Sequence, residues 1–220
     1  MNVYLAWITR QAGGNPFDVG EEYEMALAYI HDLMYTDKVL NPASLQKDYN
    51  QQNADYLGDR VAFMRQWPFF FDVARSPDNE AWFNEDKVQI ALPPAGPGGS
   101  NNLTYAAGWG FGIVKSSPNL EQATELFKFL IDKETAVEAV NTSYWFLSAR
   151  SSVLEAAGGA GVAGPLEMYS NAGAIALRPF HPRFVEALTI IEDTASAYLT
   201  DQVSLDESLT QAREQLAGLE

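Results

Sequence analysis

Apolar positions along the chain recur mostly at helical spacing, interrupted by a few short apolar runs. The first residues are apolar and helical in pattern and break at Gly13-Gly14. Ala26, Tyr29, Ile30, Leu33 and Met34 then predict a helix over 21–36. Asn41-Pro42 is a break, and a second short helix is expected around 48–58. Val61-Ala62-Phe63-Met64, after the turn Gly58-Asp59, reads as β-like, as do 87–92 and Gly110–Val114. Ser117 as N-cap and Pro118 at the first helical position predict a helix with Leu120, Ala123, Phe127 and Leu130 on its apolar face. Asp132 is placed to cap another helix running through Val140. Pro182–Leu199 carries Phe184, Leu188, Ile191, Ala195 and Tyr198 in helical register. Ser204-x-x-Glu207 is a capping box that opens the last helix. Many helices interleaved with few strands point to an α/β architecture.

Two stretches do not pack by pattern. PPAGPGGSNN at 93–102 is the clearest linker, and GGAGVAG within 141–165 has little side chain to bury. The 220 residues, 47% of them hydrophobic, suffice for a sizeable core. With 29 acidic against 14 basic residues the net charge is −15, which repels phosphate backbones and makes nucleic acid an unsuitable partner. A neutral or cationic ligand stays open. No cysteine is present, so disulfides, thiolate metal sites and cysteine nucleophiles are excluded together. The two histidines, His31 and His181, are too few for a histidine-rich metal site and read as surface or capping residues. Neither metal nor cofactor is expected. No run is long enough for a membrane helix, and the first residues carry no signal-peptide pattern.

Enzyme signatures are poor. The chain has no G-x-S-x-G, no H-E-x-x-H and no phosphate loop, and Trp109 would obstruct the glycines around it as a phosphate cradle. Aromatic placement is more informative. Of the five tryptophans, Trp67 precedes Pro68, Trp109 sits between Gly108 and Gly110, and Trp145 lies in Ser143-Tyr144-Trp145-Phe146. Flat rings on permissive backbone suit the apolar faces of sugars, and core packing is the competing reading. Arg178-Pro179-Phe180-His181-Pro182 is a stiff patch that would present Arg178 and Phe180 before a helix. Arg178 there can donate hydrogen bonds to hydroxyls, or simply be a surface residue of a helix entry.

The order of these features resembles the extracellular solute-binding proteins of carbohydrate ABC importers, of the maltose- and trehalose-binding type. Gly13-Gly14 with Asp18, Leu57–Met64 followed by Trp67-Pro68, Gln89–Gly99, Gly108–Ile131, Phe146–Arg150 and Arg178-Pro179 match the family pattern in series. Ser148 stands where the family has proline in its turn. The resemblance implies a periplasmic-binding-protein-like α/β fold, represented mainly by its C-terminal lobe. On that reading 1–94 and 149–220 belong to this lobe, and 95–148 is a crossover segment completing the other. The matched features span only about the second half of a family member. A signal peptide or lipid anchor would belong to the first half, so the chain is expected to be truncated, a poor receptor by itself, and prone to self-association. The implied function is non-catalytic binding of an uncharged di- or oligosaccharide, outside the cytoplasm, for delivery to a membrane permease. Trp67, Trp109, Tyr144 and Trp145 would stack on the sugar, and Asp18, Arg178 and Phe180 would complete the contacts. An acid-dependent glycosidase using a carboxylate pair, or an inactive fragment, are the alternatives.

Overall fold

The computed structural model describes residues 2–83, 88–96, 102–143, 146, 148–157 and 172–219. Contacts group the chain into two compact units, each treated by itself. One comprises 1–48, 92–107 and 172–220; the other comprises 49–91 and 108–171. These packing units are not the segments 1–94, 95–148 and 149–220 of the sequence expectation, which concern lobe membership in a two-lobed protein.

The first unit is built on α1 (Asn2–Gln11), α2 (Glu21–Tyr35), α8 (Phe184–Leu199) and α9 (Leu205–Ala217). Tyr23, Ala26, Leu27, Ile30 and Met34 share one face of α2 because they recur three or four residues apart. They pack with Leu5 and Ile8 of α1, Ala187, Ile191, Ala195 and Leu199 of α8, and Leu209, Ala212 and Leu216 of α9. Burial contributes about 1.5–3 kcal/mol for each large apolar side chain taken fully out of water. The buried alanines at 26, 187, 195 and 212 leave room for close helix approach.

Loop chemistry closes these helices. Gly14 N–H donates to Thr9 C=O and Gly13 N–H to Arg10 C=O, both at 3.0 Å. This is a Schellman-type end, and it requires the φ of +100° that Gly13 adopts. The loop then reaches Val19, a buried β-branched residue at φ +46°, a conformation such residues rarely adopt. Arg213 of α9 holds it there, donating from Nε (3.0 Å) and Nη2 (2.9 Å) to the Val19 carbonyl. At α9, Ser204 and Glu207 form the expected capping box.

The described sheet is a parallel pair, β1 (Thr104–Ala106) with β2 (Ile175–Leu177), in register Tyr105 with Ala176. Neither strand was expected. Conversely, the runs at 61–64, 88–92 and 110–114 carry no ladder among the described residues. A strand exists through its hydrogen-bonded neighbour, and apolar composition alone does not supply one. The Pro/Gly stretch is likewise not free at its described end. Gln11 Nε2 donates to Pro94 C=O at 2.9 Å and to Leu103 C=O at 3.2 Å, and the Trp7 indole also donates to Leu103 C=O. Gly96 lies so close to the Gln11 backbone that a Cβ there would meet Gln11 C at 3.0 Å.

The second unit contains α3 (Tyr49–Leu57), α4 (Phe70–Ala74), α5 (Leu120–Ile131), α6 (Lys133–Thr142) and α7 (Ser151–Ala156). α5 starts two residues later than expected. Its N-cap position is Asn119, and Ser117 Oγ accepts the Asn119 N–H instead of capping the helix directly. Asp132 caps α6 as expected, accepting N–H groups of Glu134 and Thr135. The core here is small: Val140, Val153 and Ala157, flanked by Ala136, Val137 and Leu154. α5 has no fully buried residue. Leu120, Leu126, Phe129 and Ile131 are all exposed. Ser143 Oγ donates to the Asp72 carboxylate at 2.6 Å, tying α6 to α4.

Candidate functional site

In the first unit the candidates lie on two loops, one after α1 and one between β2 and α8. The chain leaves β2 into Arg178, and Pro179 and Pro182 keep the following residues out of helix until Phe184. The Arg178 guanidinium stands 4.6 Å from the Phe184 ring centroid, a cation–π arrangement. Phe184 in turn meets the edge of Phe17 at 5.8 Å, and Phe17 packs on His181 at 5.4 Å. Phe17 precedes Asp18, so this cluster brings the Gly13–Asp18 loop beside the Arg178–Pro182 loop. His181 Nδ1 accepts the Arg183 N–H at 3.0 Å, a capping role at the entry to α8. Asp18 is exposed, and its carboxylate accepts from Asn15 Nδ2 at 3.0 Å. Phe180 is 82% exposed.

In the second unit, Trp67 is half-buried and held from α3. Residues Tyr49, Gln52, Asn53 and Tyr56 fall on one helix face by their spacing. Trp67 Nε1–H donates to Tyr49 Oη at 3.2 Å. Gln52 Nε2 donates to Arg65 C=O at 2.7 Å, and Gln66 Nε2 to the buried Asn53 Oδ1 at 2.7 Å. Gln66 Oε1 accepts the Trp67 backbone N–H at 2.9 Å. The Arg65 guanidinium lies 5.3 Å from the Trp67 ring centroid. Tyr56 continues the face against Phe70 and Trp82, and the Trp82 indole donates to Asp59 at 3.2 Å.

Trp109 differs from Trp67. It is 99% exposed, and no atom lies within 4 Å of where a Cβ would stand on Gly108, Gly110 or Gly112. The core-packing reading of Trp109 within this unit therefore fails. Tyr144 and Trp145 lie outside the described residues.

Among the described residues no cluster of His, Asp or Glu converges on a point that would hold a metal ion. Nor is any described helix long and apolar enough to cross a membrane. The carboxylates with perturbed acidity are at helix starts. Ser204 backbone N–H and hydroxyl both donate to Glu207, holding it below its ordinary range. Glu186, beside Arg183, is lowered by its own backbone N–H first and by Arg183 after that.

A sequence model described as bacterial extracellular solute-binding protein matches residues 3–137, more than half of the chain. The chain belongs to this family. Among solved structures, the maltose-bound MalE3 of T. maritima matches with a TM-score of 0.84 at 23% sequence identity. The match covers 99% of this solute-binding protein and 57% of that chain, so the sequence spans little more than half the length of the structure it matches. The shared fold is the periplasmic-binding-protein α/β fold. No match is found among curated protein sequences.

Tyr49, Arg65 and Phe17 are not among the residues that the sequence of this solute-binding protein singles out. Tyr49, Gln52, Asn53 and Tyr56 did carry a signal, a polar and aromatic stripe at helical spacing on the short helix expected around 48–58. Phe184 was assigned to the apolar face of its helix, where it doubles as the ring beneath Arg178.

Proposed function

We propose that this chain contributes to non-catalytic capture of an uncharged di- or oligosaccharide, for delivery to the permease of an ABC importer. One observation carries the reading. Trp109 is a fully solvated ring on a glycine-flanked loop, in a fold shared with a maltose-bound protein. A tryptophan exposes a large apolar area to water, and the apolar face of a sugar ring is a chemically matched cover. Trp67 supplies a second ring in the same reading. Arg178, Asp18 and Phe180 form the polar and aromatic group of the other unit, with Tyr144 and Trp145 as further stacking candidates. Residues 1–94 and 149–220 are assigned to the C-terminal-type lobe and 95–148 to the crossover. Work outside the cytoplasm, at a membrane permease and without turnover, accords with membership of this family. The exposed apolar residues of α5 favour self-association of the isolated chain.

Titration calorimetry with maltose and maltotriose, taken to high sugar concentration, tests the proposal. Binding should be measurable and weak. It should be insensitive to ionic strength because the ligand carries no charge, and chromatography afterwards should find the sugar intact. Release of glucose, or a steep loss of binding with salt, would overturn it.

A further inference from the structure

We propose that Tyr49 is the positioning residue of the Trp67 ring, and that Tyr49 and Arg65 together leave Trp67 one face and no indole N–H for a ligand. This deepens the proposed function and rests on Trp67 stacking against the sugar.

The argument starts from what a free tryptophan side chain would do. On a loop it rotates about two side-chain bonds, and a ligand that stacks on it must first immobilise it. Trp67 is already immobilised from three sides. Its backbone N–H is taken by Gln66, whose amide is anchored on the buried Asn53. Two residues earlier, the Arg65 carbonyl is held by Gln52. Its ring edge is fixed by the donation from Nε1 to Tyr49 Oη. Tyr49, Gln52 and Asn53 all come from one face of α3, so a single rigid element sets backbone and ring together. Phe69 meets Tyr49 edge-on at 6.2 Å and supports the phenol ring from the loop side.

The consequences for a ligand follow. Arg65 stands over one face of the indole within the range of a cation–π contact, so that face is closed to a sugar ring and only the opposite one is left for stacking in the proposed site. The indole N–H, the only donor that tryptophan has, is spent on Tyr49. Trp67 therefore contributes apolar contact and no hydrogen bond. Tyr49 reaches the ligand's affinity through the ring it orients.

Tyr49→Phe is the test. It deletes one oxygen and keeps the ring that packs on Phe69, on a helix position about half exposed. In free protein labelled with ¹⁵N at the indole nitrogens, one of the indole signals is assigned to Trp67 by its loss in Trp67→Phe. In Tyr49→Phe that signal alone should shift, and its proton should exchange with water about tenfold faster. Maltose affinity, by calorimetry, should fall roughly three- to tenfold in Tyr49→Phe and further in Trp67→Phe. The double variant should bind no more weakly than Trp67→Phe, because Tyr49 acts through the ring. An unmoved indole signal, or an equal loss from Tyr49→Phe in both backgrounds, overturns the inference. Failure of the wild-type chain to bind any maltodextrin would defeat the proposed function instead, and the indole signal would still decide the Tyr49–Trp67 pairing.

Discussion

The Arg178 guanidinium rests 4.6 Å from the centre of the Phe184 ring, at the point where the loop after β2 enters α8. Five residues separate the two in sequence, and the intervening prolines turn the loop so that the cation stacks over the first residue of the helix. A stacked guanidinium keeps its N–H groups at its rim, where hydroxyl acceptors can be reached. Phe184→Leu should therefore weaken sugar binding several-fold, with a stability cost of about 1 kcal/mol from the lost cation–π and edge contacts. Calorimetry paired with thermal melting checks it, and unchanged affinity would remove Arg178 from the ligand contacts.

Trp109→Ala should leave the melting temperature nearly untouched, since a ring 99% exposed contributes little to the fold of its unit. Sugar affinity should drop by about 2 kcal/mol or more, the scale of a binding hot spot. A variant that melts much lower and binds as before would make Trp109 a packing residue.

α5 turns Leu126, Phe129 and Ile131 to water, each about half exposed or more. An apolar face of this kind favours association. Light scattering should find oligomers of the isolated chain at high concentration, and Phe129→Glu should shift them toward monomer. A monodisperse wild-type monomer would refute the expectation.

Gly13 occupies φ +100°, where an L-residue meets its own carbonyl. Gly13→Ala should destabilise the first unit by about 1–2 kcal/mol, although no neighbouring atom would clash with the added methyl. Urea denaturation followed by circular dichroism measures this. A loss below half that range would mean that the loop relaxes to a negative φ.

Glu207 is more acidic in the folded protein than in the unfolded chain because the Ser204 backbone N–H and hydroxyl donate to its carboxylate. A lowered folded pKa stabilises the fold above the unfolded value of about 4.3, and this contribution disappears as pH falls through the folded value. The protection of the amides in the first turn of α9, measured against the intrinsic exchange rate at each pH, should fall in wild type as acid protonates Glu207. Glu207→Gln should flatten that dependence, and an identical acid response in both proteins would count against the capping box as its source.

Local chemistry was legible in the sequence wherever the partner is a near neighbour. The Ser204–Glu207 capping box, the Asp132 cap, the glycine end of α1 and the buried face of α2 all came from spacing and residue type. These features close within about a turn of helix or repeat along one face, so the chain encodes them without reference to anything distant. The α2 face was legible in part: Ala26, Ile30 and Met34 are buried, whereas Tyr29 is exposed, Leu33 is half-buried, and the buried Tyr23 and Leu27 complete the face instead. The family was legible for the same reason, since its motifs are local and occur in order. Strands were not. Thr104–Ala106 finds its partner at Ile175–Leu177, and three more apolar runs find none among the described residues, because a strand is completed by chain far away in sequence.

The candidate site divides along the same line. Trp67, Trp109 and Arg178 stood out through flanking proline and glycine, which act on the backbone locally. What orients them did not stand out. Phe17 reaches Phe184 across most of the chain, as Arg213 reaches the strained Val19, and Tyr49 reaches Trp67 from a neighbouring element. Residue type announced these side chains as aromatic or cationic. Only the packing of α8 and α9 on the loop after α1, and of α3 on the loop before α4, decided which of them meet, because contact energies at that separation depend on geometry that no spacing rule contains.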